Sequence, residues 1–151
     1  MPAYSELYVP DIMNLQGELF YQIRELLPGV DEKWFIREFM KCRIRRMLDA
    51  GNYFYASHLP NEVLNYFLCE RGPGDIWSGE YIPADYQRGE TWGGMLPMWA
   101  GMAYSLYQWE YEVPSAELID ILPLEVMERI YAPLHTVGWD VVTKKIHDSV
   151  L

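Results

Sequence analysis

One apolar segment, residues 92–114 (WGGMLPMWAGMAYSLYQWEYEVP), constrains the fold more than any other part of the chain. Its large apolar residues recur at steps of three and four, which places them on one face of a helix. That face comprises Met95, Trp99, Met102, Leu106, Trp109 and Val113. A neighbouring face carries Leu96, Ala100, Ala103 and Tyr107. Because a helix that is apolar nearly all round lies inside a domain or against a partner, we expect residues 95–112 to form the central helix.

The remaining pattern predicts a single all-α domain over residues 1–151, a helical bundle of about six helices packed round that central helix. Asp31 should cap a second helix that runs without a break to about Ala50. Pro133 should end a later helix. Thr136 should cap the last one, which should carry an ion pair between residues 140 and 144. Residues 72–94 lack helical period and are expected to form an irregular acidic and aromatic loop, with a small two-stranded element around 76–82 as an open alternative.

The net charge of −10 argues against general affinity for nucleic acid or for anionic lipid, because phosphates would be repelled. No N-terminal stretch joins basic residues to an uninterrupted apolar run, and no charge-free apolar stretch approaches about 18 residues. The sequence therefore predicts neither a signal peptide nor a transmembrane helix. It favours a cytoplasmic protein in which Cys42 and Cys69 stay reduced.

A basic cluster interrupts this acidic chain. Residues 33–46 carry six cationic side chains against Glu38 alone. Arg37, Lys41 and Arg45 are therefore candidate anion-binding residues, although pairing with the protein's own carboxylates is the more common use of such a helix face. The same cations could activate the Cys42 thiol as a nucleophile, whereas burial in the middle of a helix would leave it inert.

The loop alternates acidic and aromatic residues, which makes it the candidate partner-binding site. Its candidate residues are Asp75, Trp77, Glu80, Tyr81, Asp85, Tyr86 and Trp92. Paired carboxylates beside aromatic platforms occur in sugar-processing sites. Trp and Tyr among charged residues are also typical anchors of protein-binding surfaces. The pattern favours recognition over catalysis.

Motifs that would name a reaction are missing from the sequence. His58, His135 and His147 are far apart, and no HExxH, HxxH, CxxC or GxSxG motif occurs. The glycine pairs near residues 72 and 93 match no phosphate-binding fingerprint. We therefore expect no metal, no cofactor and no catalytic residue.

The C-terminal third carries a recognisable run of residues. It reads YSLYQWEYEVP at 104–114, then PLE at 123–125 and YAPLH at 131–135. This run resembles a pattern in short hypothetical all-helical proteins of anaerobic gut bacteria, some of which are associated with toxin–antitoxin or mobile-element neighbourhoods. The resemblance implies a protein that acts on another protein, and it supplies no activity, cofactor or active residue.

These observations favour a cytoplasmic protein-binding module. It would be an antitoxin-like or other inhibitory partner of a basic or nucleic-acid-binding protein, with loop 75–92 meeting a basic patch. Two alternatives stay open. One is a small enzyme with a pocket between the loop and the basic helix, acting on an anionic or sugar-like substrate. The other is a homo-oligomer whose apolar helix forms the interface.

Overall fold

The computed structural model describes residues 3–72, 74–77, 80–83 and 85–150, with the backbone alone for the two strands and residue 150. The all-α fold is confirmed, but the described residues form nine α-helices rather than about six, together with a 3-10 helix, Glu6–Tyr8, and two short strands. The helices are α1 (Val9–Leu26), α2 (Glu32–Met40), α3 (Arg43–Asp49), α4 (Tyr53–Ala56), α5 (Pro60–Glu70), α6 (Leu96–Tyr111), α7 (Ser115–Ile121), α8 (Leu124–Leu134) and α9 (Trp139–Val150). The strands β1 (Gly74–Trp77) and β2 (Glu80–Pro83) pair antiparallel.

Helices α1 and α6 form the centre of the fold, since they make the most extensive contact in the chain. Glycines let their backbones approach closely. A Cβ on Gly101 would lie 2.9 Å from the carbonyl oxygen of Gln16 and 3.0 Å from Cα of Gly17. The Gln16 side-chain amide donates to the Gly101 carbonyl oxygen at 2.6 Å, which fixes the register of the two helices.

Four phenylalanines from α1, α2 and α5 build the aromatic part of the core. Phe20 meets Phe39 edge-on at 5.7 Å between ring centroids, and Phe67 meets Phe35 in the same way at 5.2 Å. Edge-to-face and offset pairs are the arrangements that aromatic rings prefer. The cluster therefore packs α1, α2 and α5 against one another.

The two apolar faces of α6 have different environments. Ala100, Ala103 and Tyr104 are fully buried, and the Tyr104 hydroxyl donates to the Leu122 carbonyl oxygen at 2.6 Å. The other face is only partly covered, and Met95 at its beginning is 49% exposed. The fold thus encloses one face of its central helix and leaves the other accessible.

The unbroken helix expected from Asp31 to about Ala50 is wrong. Asp31 does cap α2, since its carboxylate accepts the Trp34 N–H at 3.1 Å. The chain then leaves the helix at Cys42, whose backbone is extended with φ −79° and ψ 165°. The Cys42 thiol accepts the Arg45 N–H at 3.4 Å and so caps α3. Apolar spacing continues across this break, and for that reason periodicity does not reveal it.

Three expectations for the C-terminal region also need correction. Pro133 lies inside α8, which ends one residue later at Leu134, so the missing N–H affects only the last turn. Thr136 does not cap the last helix, which begins at Trp139; the Gly138 carbonyl oxygen accepts its first backbone N–H bonds, at 3.0 and 3.1 Å. Lys144 pairs with Asp148 at 3.1 Å instead of with the residue at 140.

Candidate binding groove along helix α6

Two adjoining cavities lie along the partly covered face of α6, and together we call them the α6 groove. The larger cavity has a volume of about 450 Å³ and the smaller one about 310 Å³. Met102 and Trp139 line both cavities, so the two lie side by side along α6. The larger one is lined by Val9, Pro10, Met13, Asn14, Met102, Leu106, Trp109, Glu110, Trp139 and Asp140. The smaller one is lined by Met95, Met98, Trp99, Met102, Tyr131, His135 and Trp139.

Methionine supplies the floor of the groove. Four of the chain's eight methionines line it, and they come from both α1 and α6. The Met102 side chain lies directly over Gly17, since a Cβ on that glycine would be 2.6 Å from Met102 Cγ. Because methionine is unbranched and polarisable, it adapts to differently shaped apolar partners and is common at binding surfaces that accept several of them.

Aromatic side chains form one wall of the groove. Trp99 stacks with Trp139 at 6.2 Å between ring centroids and meets Tyr131 edge-on at 5.5 Å. Tyr131 in turn stacks on His135 at 4.5 Å. Each ring packs on the next, so the side chains of this wall are already ordered. A partner that binds to the wall would therefore lose little free energy in ordering them.

Two carboxylates belong to the larger cavity, which extends towards the C-terminus of α6. Glu110 and Asp140 both line the larger cavity. Glu110 accepts a hydrogen bond from the Thr143 hydroxyl. The described residues that line the smaller cavity include no acid. The groove is therefore acidic at one end and apolar at the other.

The described residues among the predicted partner-binding residues of the acidic loop make contacts within the fold. Asp85 pairs with Arg71, whose Nε donates at 3.2 Å. The Tyr86 hydroxyl donates to the Pro28 carbonyl oxygen at 3.0 Å. Trp92 is 6% exposed, and its indole N–H donates to Glu128 at 2.5 Å. In this structure Tyr86 and Trp92 make contacts within the protein, so these side chains are not free to anchor a partner.

The other four loop candidates lie on the hairpin, where only the backbone is described. Asp75 and Trp77 belong to β1, and Glu80 and Tyr81 belong to β2. The register places Trp77 opposite Glu80 and Ile76 opposite Tyr81. Their side chains lie outside the described residues, so partner binding by this part of the loop stays a prediction.

The three candidate anion-binding residues do not share one surface. Arg37 and Lys41 are exposed on and just after α2, and Lys41 pairs with Asp120 at 3.1 Å. Arg45 is 0% exposed. Its guanidinium donates to Asp49 at 3.1 Å and to Ser115, Gln16 and Gln108 at 2.9, 2.8 and 3.2 Å. An anion from solvent would have to open the helix packing to reach Arg45.

Cys42 is not set up as a nucleophile. Burial raises the pKa of its thiol to about 11, and this effect outweighs the backbone N–H bonds and the Arg45 charge, which lower the pKa. The thiolate is the reactive form of cysteine, so the cationic neighbours in the sequence do not activate this one. The hypothesis of an activated Cys42 relied on proximity along the chain. In the fold, the Arg45 guanidinium pairs with Asp49.

The three histidines belong to three separate environments. His58 approaches the Phe54 carbonyl oxygen, His135 lies at the groove, and His147 stacks on Tyr111 at 4.1 Å. Within the described residues, no three His, Cys, Asp or Glu side chains are placed to hold a metal ion. No helix in the same part of the chain is long and apolar enough to cross a membrane.

The sequence alone does not predict the groove. It grouped Met95, Trp99, Met102 and Trp109 on one helical face, but it had no means of adding Met13 from α1 or Trp139 from α9. The available signals were the high methionine content and an apolar helix whose two faces exceed what one core can cover.

Comparison of the chain with models of protein families, with curated proteins and with solved structures finds no match. The resemblance of the C-terminal run to short bacterial proteins therefore stays a prediction. Any function has to be argued from the groove itself.

Proposed function

We propose that this protein is a protein-binding module and that the α6 groove receives an apolar segment of its partner. The observation that supports this proposal is the pair of neighbouring cavities lined by methionine and tryptophan on the partly covered face of the central helix. Contiguous apolar surface of this kind is typical of interaction sites, because burying it releases ordered water.

The dimensions of the groove favour a helical segment as the occupant. Met95 and Trp109, which line its two ends, are separated by 14 residues, or about 21 Å along α6. A helix of about 14 residues has the same length, and an amphipathic one would place an apolar residue every three or four positions along the floor. A compact small molecule would fill only one of the two cavities.

In this role the protein would bind a helix that its partner needs for another contact. Such capture would be inhibitory, as in an antitoxin-like protein, if the captured helix were needed for the partner's own activity. A cytoplasmic setting belongs to the same proposal. Contacts from the hairpin side chains at 75–81 could add to the binding surface. Neutralising Asp75 and Glu80 together would measure that contribution and leave the pair between Asp85 and Arg71 intact.

A displayed library of 14–16-residue helical peptides, selected against the purified protein, tests the proposal. Selected peptides should carry large apolar residues at helical spacing and should change the tryptophan fluorescence of the groove. Their affinity should fall at least about tenfold in a Met95→Lys, Met98→Lys double variant, because lysine would have to lose its hydration to remain under a bound helix.

Ile121→Lys is the matched control for that double variant. Ile121 is 51% exposed, almost the same as Met95, but it lies on α7 outside the groove. Peptides that bind the double variant as tightly as the wild type would overturn the groove as the binding surface. Self-association that buries the groove, detected by light scattering and lost in the double variant, would replace the proposal with the homo-oligomer alternative.

A further inference from the structure

We propose, on the basis of the proposed function, that the captured helix is basic at one end, and that its Lys or Arg side chains lie between Glu110 and Asp140. The apolar residues of the same helix would then lie over Met98, Trp99 and Met102. The groove thus selects both the composition of its occupant and the direction in which the occupant lies.

The acidic end of the groove supports a cationic occupant in two ways. Glu110 and Asp140 line one cavity together with Trp109 and Trp139. Carboxylates attract a guanidinium or an ammonium, and the faces of indole rings attract the same cations through their quadrupole. The Trp109 indole N–H already donates to the Tyr4 carbonyl oxygen at 2.7 Å, which holds that ring in position.

The protein's own nearby cation does not neutralise this end of the groove. Lys144, one turn after Asp140, pairs with Asp148 instead. The Thr143 hydroxyl that donates to Glu110 carries no charge. A cation from outside can therefore pair with these two carboxylates, which line the same cavity.

The opposite end of the groove sets the direction of the occupant. The smaller cavity is lined by methionine and by aromatic side chains, and no acid is among its described lining residues. A Lys or Arg placed there would meet aromatic rings but no carboxylate, so it would recover less of its lost hydration than at the Glu110 end. A helix with its basic residues at the Glu110 end therefore binds better than the same helix reversed. The net charge of −10 further accelerates the approach of a basic partner.

Three fluorescein-labelled helical peptides of 14 residues provide the test. They share the same leucine and phenylalanine anchors and differ at two positions of one end, which hold Arg, Gln or Glu. Dissociation constants are measured by fluorescence anisotropy at low and at high salt. We expect the Arg peptide to bind wild-type protein about tenfold more tightly than the Gln peptide at low salt, and the Glu peptide to bind least.

A Glu110→Gln, Asp140→Asn double variant should remove the preference for Arg. Glutamine retains the carbonyl oxygen that accepts from Thr143, so the variant should fold, and its melting temperature checks this. The matched control is Glu25→Gln with Glu117→Gln, which removes two exposed charges outside the groove. The preference should persist in that control, because the local carboxylates and not the net charge create it.

The outcomes separate this inference from the proposed function. Arg and Gln peptides that bind wild-type protein equally, with binding still lost in the Met95→Lys, Met98→Lys variant, would overturn the basic occupant and leave the groove intact. A preference for Arg that falls equally in both charge variants would also overturn it, since general electrostatics would then account for the effect. Absence of binding by all three peptides, together with failure of the library selection, would overturn both.

Discussion

Gly17 of α1 and Gly101 of α6 face each other where the two central helices cross. A Cβ on Gly101 would lie 3.0 Å from Cα of Gly17, so the helices meet backbone to backbone. The same contact shapes the groove, because Met102, one residue after Gly101, lies over the bare surface of Gly17. One pair of glycines therefore sets both the packing of the core and the depth of the groove floor.

Replacing Gly101 with alanine should destabilise the protein. The new methyl group would lie 2.9 Å from both the Gln16 carbonyl oxygen and the Phe20 ring, and the backbone atom cannot move without shifting α1. Overpacking of this kind costs about 1–3 kcal/mol, which exceeds the gain of up to about 1 kcal/mol from the better helix propensity of alanine.

Chemical denaturation of the Gly101→Ala variant gives that free energy of unfolding directly. Gly93→Ala is the control, since a Cβ there meets nothing within 4 Å and the backbone is not in the left-handed region. Equal stability of the two variants would mean that α1 and α6 do not meet at this point.

Replacing Arg45 with methionine should cost about 3 kcal/mol of unfolding free energy, because the partly buried Asp49 carboxylate would lose its charge partner and buried Gln16 and Gln108 would lose a donor. Asp49 would still accept the Ser115 N–H at 2.9 Å, but the Arg45 bond at 3.1 Å would be gone. Lys41→Met removes a cation of the same cluster from an exposed pair with Asp120 and should change stability by less than about 1 kcal/mol. Urea titrations compare the two, and similar losses would contradict the burial of Arg45.

Cys42 should resist alkylation while the protein is folded. Its thiol has a pKa of about 11, so its thiolate fraction near neutral pH is more than about 100-fold below that of an ordinary cysteine. Cys69 is exposed and should react first. Mass spectrometry after timed iodoacetamide treatment distinguishes the sites, and denatured protein, in which both should react, is the control. Faster modification of Cys42 than of Cys69 in native protein would revive the nucleophile hypothesis.

The helical fold and the Asp31 cap follow from local sequence, because capping residues and three-to-four spacing act over a few positions. The break at Cys42 is not predictable in this way. It depends on the thiol that accepts the Arg45 N–H, and on nearby Asp49 and three distant side chains that hold the Arg45 guanidinium. Tertiary contacts of that kind override a continuous apolar stripe.

In the candidate site, too, features set by local spacing are predictable from the sequence, whereas features set by long-range contacts are not. The sequence correctly grouped the residues of the partly covered face of α6, since spacing determines which residues share a face. It could not tell which of two apolar faces the other helices would cover, because that choice is made by Gly17 and Gly101. It also treated Trp92 as a free anchor, although the indole donates to Glu128, 36 residues later.

Glu32 and Glu128 should make opposite contributions to the pH dependence of stability. Burial raises the pKa of Glu32 above its ordinary value, despite the Trp92 backbone N–H and the Arg24 charge, which lower it. Its folded form thus holds the proton more tightly than its unfolded form. The stability that Glu32 contributes is therefore present below its unfolded pKa and is lost as the pH rises through the raised folded value. Glu32→Gln should accordingly stabilise the protein at pH 7, with a gain that shrinks towards pH 4.

Glu128 provides the comparison, since the Lys33 hydrogen bond lowers the pKa of its carboxyl. Its contribution is present above the unfolded pKa and is lost as the pH falls through the lowered folded value. Glu128→Gln should therefore destabilise the protein at pH 7 and have less effect in acid. Melting temperatures of both variants and the wild type from pH 3 to pH 8 test the two signs together. A Glu32→Gln variant that loses stability at pH 7 would show that the Arg24 contact at 3.4 Å outweighs the cost of burying the carboxylate.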